Sequence, residues 1–178
     1  MKTKATHRFL STMILLTVGA TAGLAQAEWT LDNERSKLYF ASTKKDTVSE
    51  VHRFETLSGQ INDDGKADLE IDLASVNTKI EIRDERMQQH LFETDQYRAA
   101  SVTLDLGEAG IEPGEREITA TLNLHGVSKE ITAQVMVMRQ DDQLQVLSLA
   151  PVMLNAADFG MDAKLKPCAT SPSCPPST

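Results

Sequence analysis

Along most of the chain, apolar and polar residues alternate one for one. "ADLEIDL" sets Ala67, Leu69, Ile71 and Leu73 against Asp68, Glu70 and Asp72. "SVTLDL" separates Val102, Leu104 and Leu106 from Ser101, Thr103 and Asp105. "EITATLNL" does the same with Ile118, Ala120, Leu122 and Leu124, and "EITAQVMV" with Ile131, Ala133, Val135 and Val137. A period of two puts one face of a strand in a core and the other in water. Antiparallel sheets accept that arrangement, whereas parallel sheets are usually covered on both faces. Weaker runs predict further strands at Glu28–Leu31, Lys37–Thr43, His52–Ile61 and Leu144–Leu154. Turn residues fall between the runs: Asn62-Asp63-Asp64-Gly65, Pro113-Gly114 and His125-Gly126. About eight strands joined by short hairpins predict a mainly β, antiparallel barrel or sandwich.

One stretch breaks the pattern. From Ser75 to Tyr97 the spacing turns helical, with Ile80, Met87 and Leu91 recurring on one face. Thr78 and Glu81 have the spacing of a capping box. A segment this short is marginal alone and must pack its stripe on a partner. The open end of a barrel offers one, so the segment is expected to be a lid.

The inward-facing residues are aliphatic, and aromatic residues make up only 4% of the chain. An eight-stranded barrel has room inside for its own side chains or for one small ligand. Slim lining favours a tunnel, but periodicity alone fits an ordinary packed core equally well. The candidate lining is Leu69, Ile71, Val102, Leu104, Leu122, Leu124, Val135 and Val137, with Met87 and Leu91 contributed by the helix. Arg83 and Arg86 stand beside the expected mouth, where a guanidinium could grip a phosphate or a quinone carbonyl. A salt bridge to a neighbouring carboxylate, or plain solvation, is the competing reading for both.

Lys2, Lys4 and Arg8 open the chain, an apolar stretch runs from Phe9 to Leu24, and Ala25-Gln26-Ala27 follows. This is the pattern of a cleavable secretory signal over residues 1–27, with cleavage after Ala27 and export to the periplasm. No transmembrane anchor is expected after cleavage. The remaining chain would keep 15 Lys and Arg against 26 Asp and Glu, a formal charge of −11. So acidic a surface repels phosphate backbones, which argues against nucleic acid as a partner. Cys168 and Cys174 both lie in the final stretch, and no Cys or His pair has metal-ligand spacing. A hydrolase would need a nucleophile beside a base. His52, His90 and His125 have no such motif around them, and neither G-x-S-x-G nor H-E-x-x-H occurs.

"LSGQI", "ASVNTKIEIRDERMQQHLFETDQY", "LNLHGVSKEI" and "NAADFG", in this order behind a secretory leader, resemble the YceI-like polyisoprenoid-binding family. The likeness runs from Trp29 to about Ala163, and the block from Ser75 to Leu91 is its most specific part. It implies a lipocalin-like antiparallel barrel over residues 28–163 with one inserted helix. It further implies an apolar channel holding a polyprenyl phosphate or a quinone-like molecule, no other cofactor, and no catalysis. Two departures stand out. Arg98 replaces the proline usual in the family. After Asp162 the family's closing strand is replaced by "KLKPCATSPSCPPST", whose prolines Pro172, Pro175 and Pro176 oppose a strand. Residues 164–178 are therefore expected to be a disordered tail, leaving two sheet edges open. A second subunit in a homodimer could cover such an edge. So could a partner strand, if the protein is a secreted interaction module without a lipid.

Overall fold

A computed structural model describes residues 29–44, 48–62, 64–107 and 112–161. The expected signal segment, the tail and both cysteines lie outside the described residues. Among the described residues ten strands form: β1 (Trp29–Thr30), β2 (Leu38–Lys44), β3 (Val48–Phe54), β4 (Leu57–Ile61), β5 (Lys66–Asp72), β6 (Val76–Asn77), β7 (Ala99–Asp105), β8 (Gly114–Leu124), β9 (Val127–Gln140) and β10 (Gln143–Ser148). Seven make one antiparallel sheet in the order β1-β4-β5-β7-β8-β9-β10, and three make a second in the order β2-β3-β6. The large sheet curls into a half-barrel. Its curvature brings Trp29 of β1 against Arg139 of β9, with the guanidinium carbon 5.1 Å from the ring centroid. Those two strands are separated by four others in the sheet.

The register puts the apolar sets on one concave face. Leu57 faces Ile71 across β4 and β5, Leu69 faces Val102 across β5 and β7, and Val102 faces Leu122 across β7 and β8. Directly opposed residues of antiparallel strands point to the same side. At Gly59, opposite Leu69, a β-carbon would lie 2.5 Å from the Asp68 carbonyl oxygen, so only glycine fits.

Several sequence expectations need correcting. His52–Ile61 is two strands, not one. The chain corners at Glu55 and Thr56, whose N–H groups both donate to Ser75 Oγ at 3.1 and 3.0 Å. The first of these strands begins four residues earlier, at Val48. The last strand stops at Ser148 rather than Leu154, before Pro151, which has no N–H to give to a ladder. The chain then returns to the core through a 3₁₀ turn, Ala156–Phe159, in which Asn155 Oδ1 accepts the Ala157 N–H.

The helical break is real but is not one helix. α1 (Glu81–Arg86) passes into a π-helical turn, Met87–Phe92. Its N-cap is Ile80, not Thr78, and the box partner is Asp84 rather than Glu81: Asp84 Oδ1 accepts the Thr78 N–H at 2.7 Å. Ile80 is 45% exposed and lies off the buried stripe, while Met87 and Leu91 pack against the core as expected. Gln88 Nε2 donates to the Ala74 carbonyl at 2.8 Å and ties the segment to the 3₁₀ turn, Leu73–Ser75, that follows β5.

The helix end of the half-barrel is solid. Phe40, Phe54 and Phe92 cluster with ring centroids 5.0 to 6.1 Å apart. Leu73, Phe159 and Met161 complete this core. Among the described residues, β10 pairs only with β9 and β2 only with β3.

Candidate functional site: an apolar channel with a cationic far rim

The eight expected lining residues of the strands all share the concave face, but not the same depth. Ile71 and Leu122 are buried at the helix end, and Leu69, Val102 and Leu124 are partly buried against the same core. Leu104, Ile118, Ile131 and Ala133, farther along the strands, are also only partly buried. Partial exposure leaves apolar surface of this concave face that a ligand could cover. Val135 and Val137, at the far end, are buried again at 5% and 4%. They sit opposite Arg116 and Gly114 on one side and Ser148 and Val146 on the other.

At the expected mouth the two arginines differ. Arg83 Nη1 is held by Glu50 Oε2 at 3.0 Å, and Arg86 is exposed. Beneath Arg83 lies His52, 3% exposed, edge-on to Phe40 with centroids 5.3 Å apart. Burial, reinforced by the Arg83 charge, pulls the His52 pKa below its usual value against the opposing pull of Glu50 and Asp84. His52 is thus a neutral ring in the aromatic plug.

The helical segment is latched to the β8–β9 hairpin. Glu93, in the left-handed region at φ 48°, closes the π turn and places its carboxylate 2.9 Å from His125 Nε2. The His125 ring packs against Tyr97, tilted by 40°, with centroids 4.0 Å apart. His125 and Gly126 both have positive φ, as a two-residue hairpin turn demands. His125 therefore serves the turn, as its neighbours suggested, and adds a latch that helical periodicity could not reveal.

Sequence reasoning passed over three residues at the far end. Arg116 shares its strand face with Ile118, Ala120 and Leu122, so it points inward, and it pairs with Glu112 Oε2 at 2.7 Å. Arg139 shares the face of Val135 and Val137. Trp29 stands opposite Ile61, on the same concave side. The signal for Arg116 was present: it is the charged member of an otherwise apolar alternate set.

A cavity of about 510 Å³ is lined by outer-face residues such as Asp68, Thr103, Thr121 and Glu130 and also by Ala67, Leu104 and Ala120 of the concave set. It opens where β7 and β8 part company beyond the Thr103–Thr121 pair. Among the described residues, no group of acidic, His or Cys side chains could hold a metal, and no helix is long and apolar enough to cross a membrane.

Comparison with known proteins agrees with this fold. The family model of the YceI-like domain matches residues 29–173. A solved polyisoprenoid-binding domain from Saccharophagus degradans, implicated in plant cell wall breakdown, is 41% identical over 78% of this chain and 83% of its own, with a TM-score of 0.70. Two more distant structures share the fold. Burkholderia cenocepacia BcnA is 20% identical over 73% of this chain and 84% of its own, with a TM-score of 0.61. A YceI protein of Campylobacter jejuni is 23% identical over 76% and 85%, with a TM-score of 0.53. Curated protein sequences give no match. A family model covering most of the chain, and a solved relative at 41% identity, establish that the protein belongs to the YceI-like domain family.

Proposed function

We propose that the protein is a periplasmic carrier that holds one long isoprenoid lipid in the channel of its half-barrel. One observation carries the reading: the apolar residues of the concave face are closed over at the helix end and left partly uncovered along Leu104, Ile118 and Ala133. Burying a prenyl chain there recovers about 25 cal/mol for each Å² of apolar surface, enough over several isoprene units to exceed the freedom the lipid loses. The likeness to a polyisoprenoid-binding domain at 41% identity supports the same class of ligand. The basic and apolar leader ending in Ala25-Gln26-Ala27 supports the compartment.

Organic extraction of the purified mature protein followed by mass spectrometry tests the reading. A stoichiometric isoprenoid is expected. An extract with no isoprenoid, from protein that also fails to take one up when supplied, refutes it.

A second reading rests on β10. This strand carries no charge and presents Val146 and Leu147 at 52% and 53% exposure along an edge with no neighbour among the described residues. Natural edge strands usually carry charges that discourage pairing. A secreted interaction module that recruits a strand, or a second copy, would use this edge. A lipid-free extract together with a stable dimer favours it.

A further inference from the structure

We infer that the uncharged apolar surface of β10 and of the segment returning from it docks the protein on a lipid bilayer, at the depth of the head groups. The inference rests on the carrier reading and adds the surface through which the carrier meets the membrane.

The patch is set apart by its composition. Of the ten large apolar residues exposed among the described residues, six fall between Met138 and Leu154. From Gln143 to Ala157 the chain has no charged residue, although a quarter of the sequence is charged. The outer face of the large sheet changes character there. On β5 and β8 it carries the exposed carboxylates of Asp68, Glu70, Glu115 and Glu117. On the next strand Glu115 faces Met136, and Met136 in turn faces Leu147 of β10. Leu147 and Leu149 are 53% and 47% exposed, and Met153 in the return segment reaches 87%. Clustered apolar exposure of this kind marks a contact surface.

A bilayer suits this patch better than an added strand does. A strand paired to β10 would satisfy its edge but leave the outer face bare, and Pro151 keeps the return segment out of a ladder. The patch has no charges with which to build the polar rim of a protein–protein contact. A layer of zwitterionic head groups requires none and admits an apolar face to a depth of about 5–10 Å. The carboxylates on the rest of the outer face repel an anionic surface, so the molecule approaches a membrane most easily by this side.

The placement also serves a carrier. β10 pairs with Val135–Gln140, the part of β9 at the far end of the channel, away from the phenyl rings. Val146, 52% exposed and opposite Val137, continues the apolar surface from the outer side to the concave side.

The test floats the purified mature protein with isoprenoid-free phosphatidylcholine vesicles through a density gradient. Reversible binding on the order of 10⁴ M⁻¹ is expected, like that of a single acyl chain. Met153→Glu should weaken it about tenfold and Leu147→Glu with Met153→Glu about a hundredfold, from the lost burial of one and two large side chains. Val51→Glu, at a 67% exposed site on β3, should leave it unchanged. Isoprenoid uptake from vesicles should slow in the double variant, whereas uptake from detergent micelles should not, which also shows that the variant is folded. A wild type that does not float, or variants that float equally well, overturn the inference. So does a wild-type dimer that the double variant dissociates without any flotation, since the patch would then belong to a second copy. A wild type that floats yet takes up isoprenoid from neither source supports the docking surface and refutes the carrier reading.

Discussion

Blocking the channel at two depths measures both its existence and its direction. Val102 and Leu104 are concave-face neighbours on β7, two residues and about 7 Å apart along the strand. Val102 lies against the core at the helix end, in the row of Leu69 and Leu122, and Leu104 lies one row nearer the rim. Both are partly buried, so a tryptophan at either can spread into the hollow rather than overpack a filled core. Val135, at 5% exposure, offers no such room, and Val135→Trp should unfold the far end. Each five-carbon unit displaced from the channel forfeits about 4 kcal/mol, at about 0.8 kcal/mol per buried carbon, or roughly a thousandfold in affinity. A lipid that enters tail first from the rim loses only its last unit to Val102→Trp. It loses that unit and everything beyond the outer block to Leu104→Trp. Leu104→Trp should therefore be the more severe by about one unit. Native mass spectrometry of protein equilibrated with a polyprenyl lipid gives the bound fraction, and far-UV circular dichroism confirms that strand content is kept. Unchanged uptake in both variants would falsify the channel. The reverse order, with Val102→Trp more severe, would place the entrance at the helix end.

Further outcomes follow from the same contacts. Phe54→Ala, which removes a 7% exposed ring from between Phe40 and Phe92, should cost about 3–5 kcal/mol in urea unfolding, and a loss below 1 kcal/mol would mean that the plug is loose. Because the native pKa of His52 is depressed, the unfolded chain binds its proton more tightly. The stability contributed by neutral His52 is complete above about pH 6.5 and is lost as pH falls from there toward the lower native value. Unfolding midpoints from pH 8 to 5 should show this decline in the wild type and a shallower one in His52→Gln; identical profiles contradict it. Gly126→Ala places a β-carbon 3.1 Å from Tyr97 Cε1 at φ 75° and should lower stability by about 1–2 kcal/mol, read from the thermal midpoint. Glu93→Gln should speed amide hydrogen exchange across residues 81–97 while leaving β5 and β7 protected, and uniform exchange in both proteins would show that the latch holds nothing.

Alternation by itself determined the sheets. A period of two admits one buried face, so the sets around Leu69, Val102, Leu122 and Val135 had to share a side once their strands paired antiparallel. The helical interruption was equally legible, because its spacing cannot serve a strand. Three-dimensional contacts decided the rest. Thr78 and Glu81 had the letters of a capping box, yet Asp84 took the bond, because a cap depends on where the chain enters the helix. The strand from His52 to Ile61 was cut by a serine twenty residues later in the chain, which no local pattern reveals. Phe40, Phe54, Phe92 and Phe159 come from distant segments, so their meeting in one plug was invisible in composition. Of the two readings open for Arg83, the salt bridge took its partner, Glu50, from a strand more than thirty residues earlier, and Arg139 met Trp29 only through the curl of the sheet. Local sequence sets which face of an element is apolar. Which end of the half-barrel the phenyl rings fill is set by contacts between residues far apart in the chain.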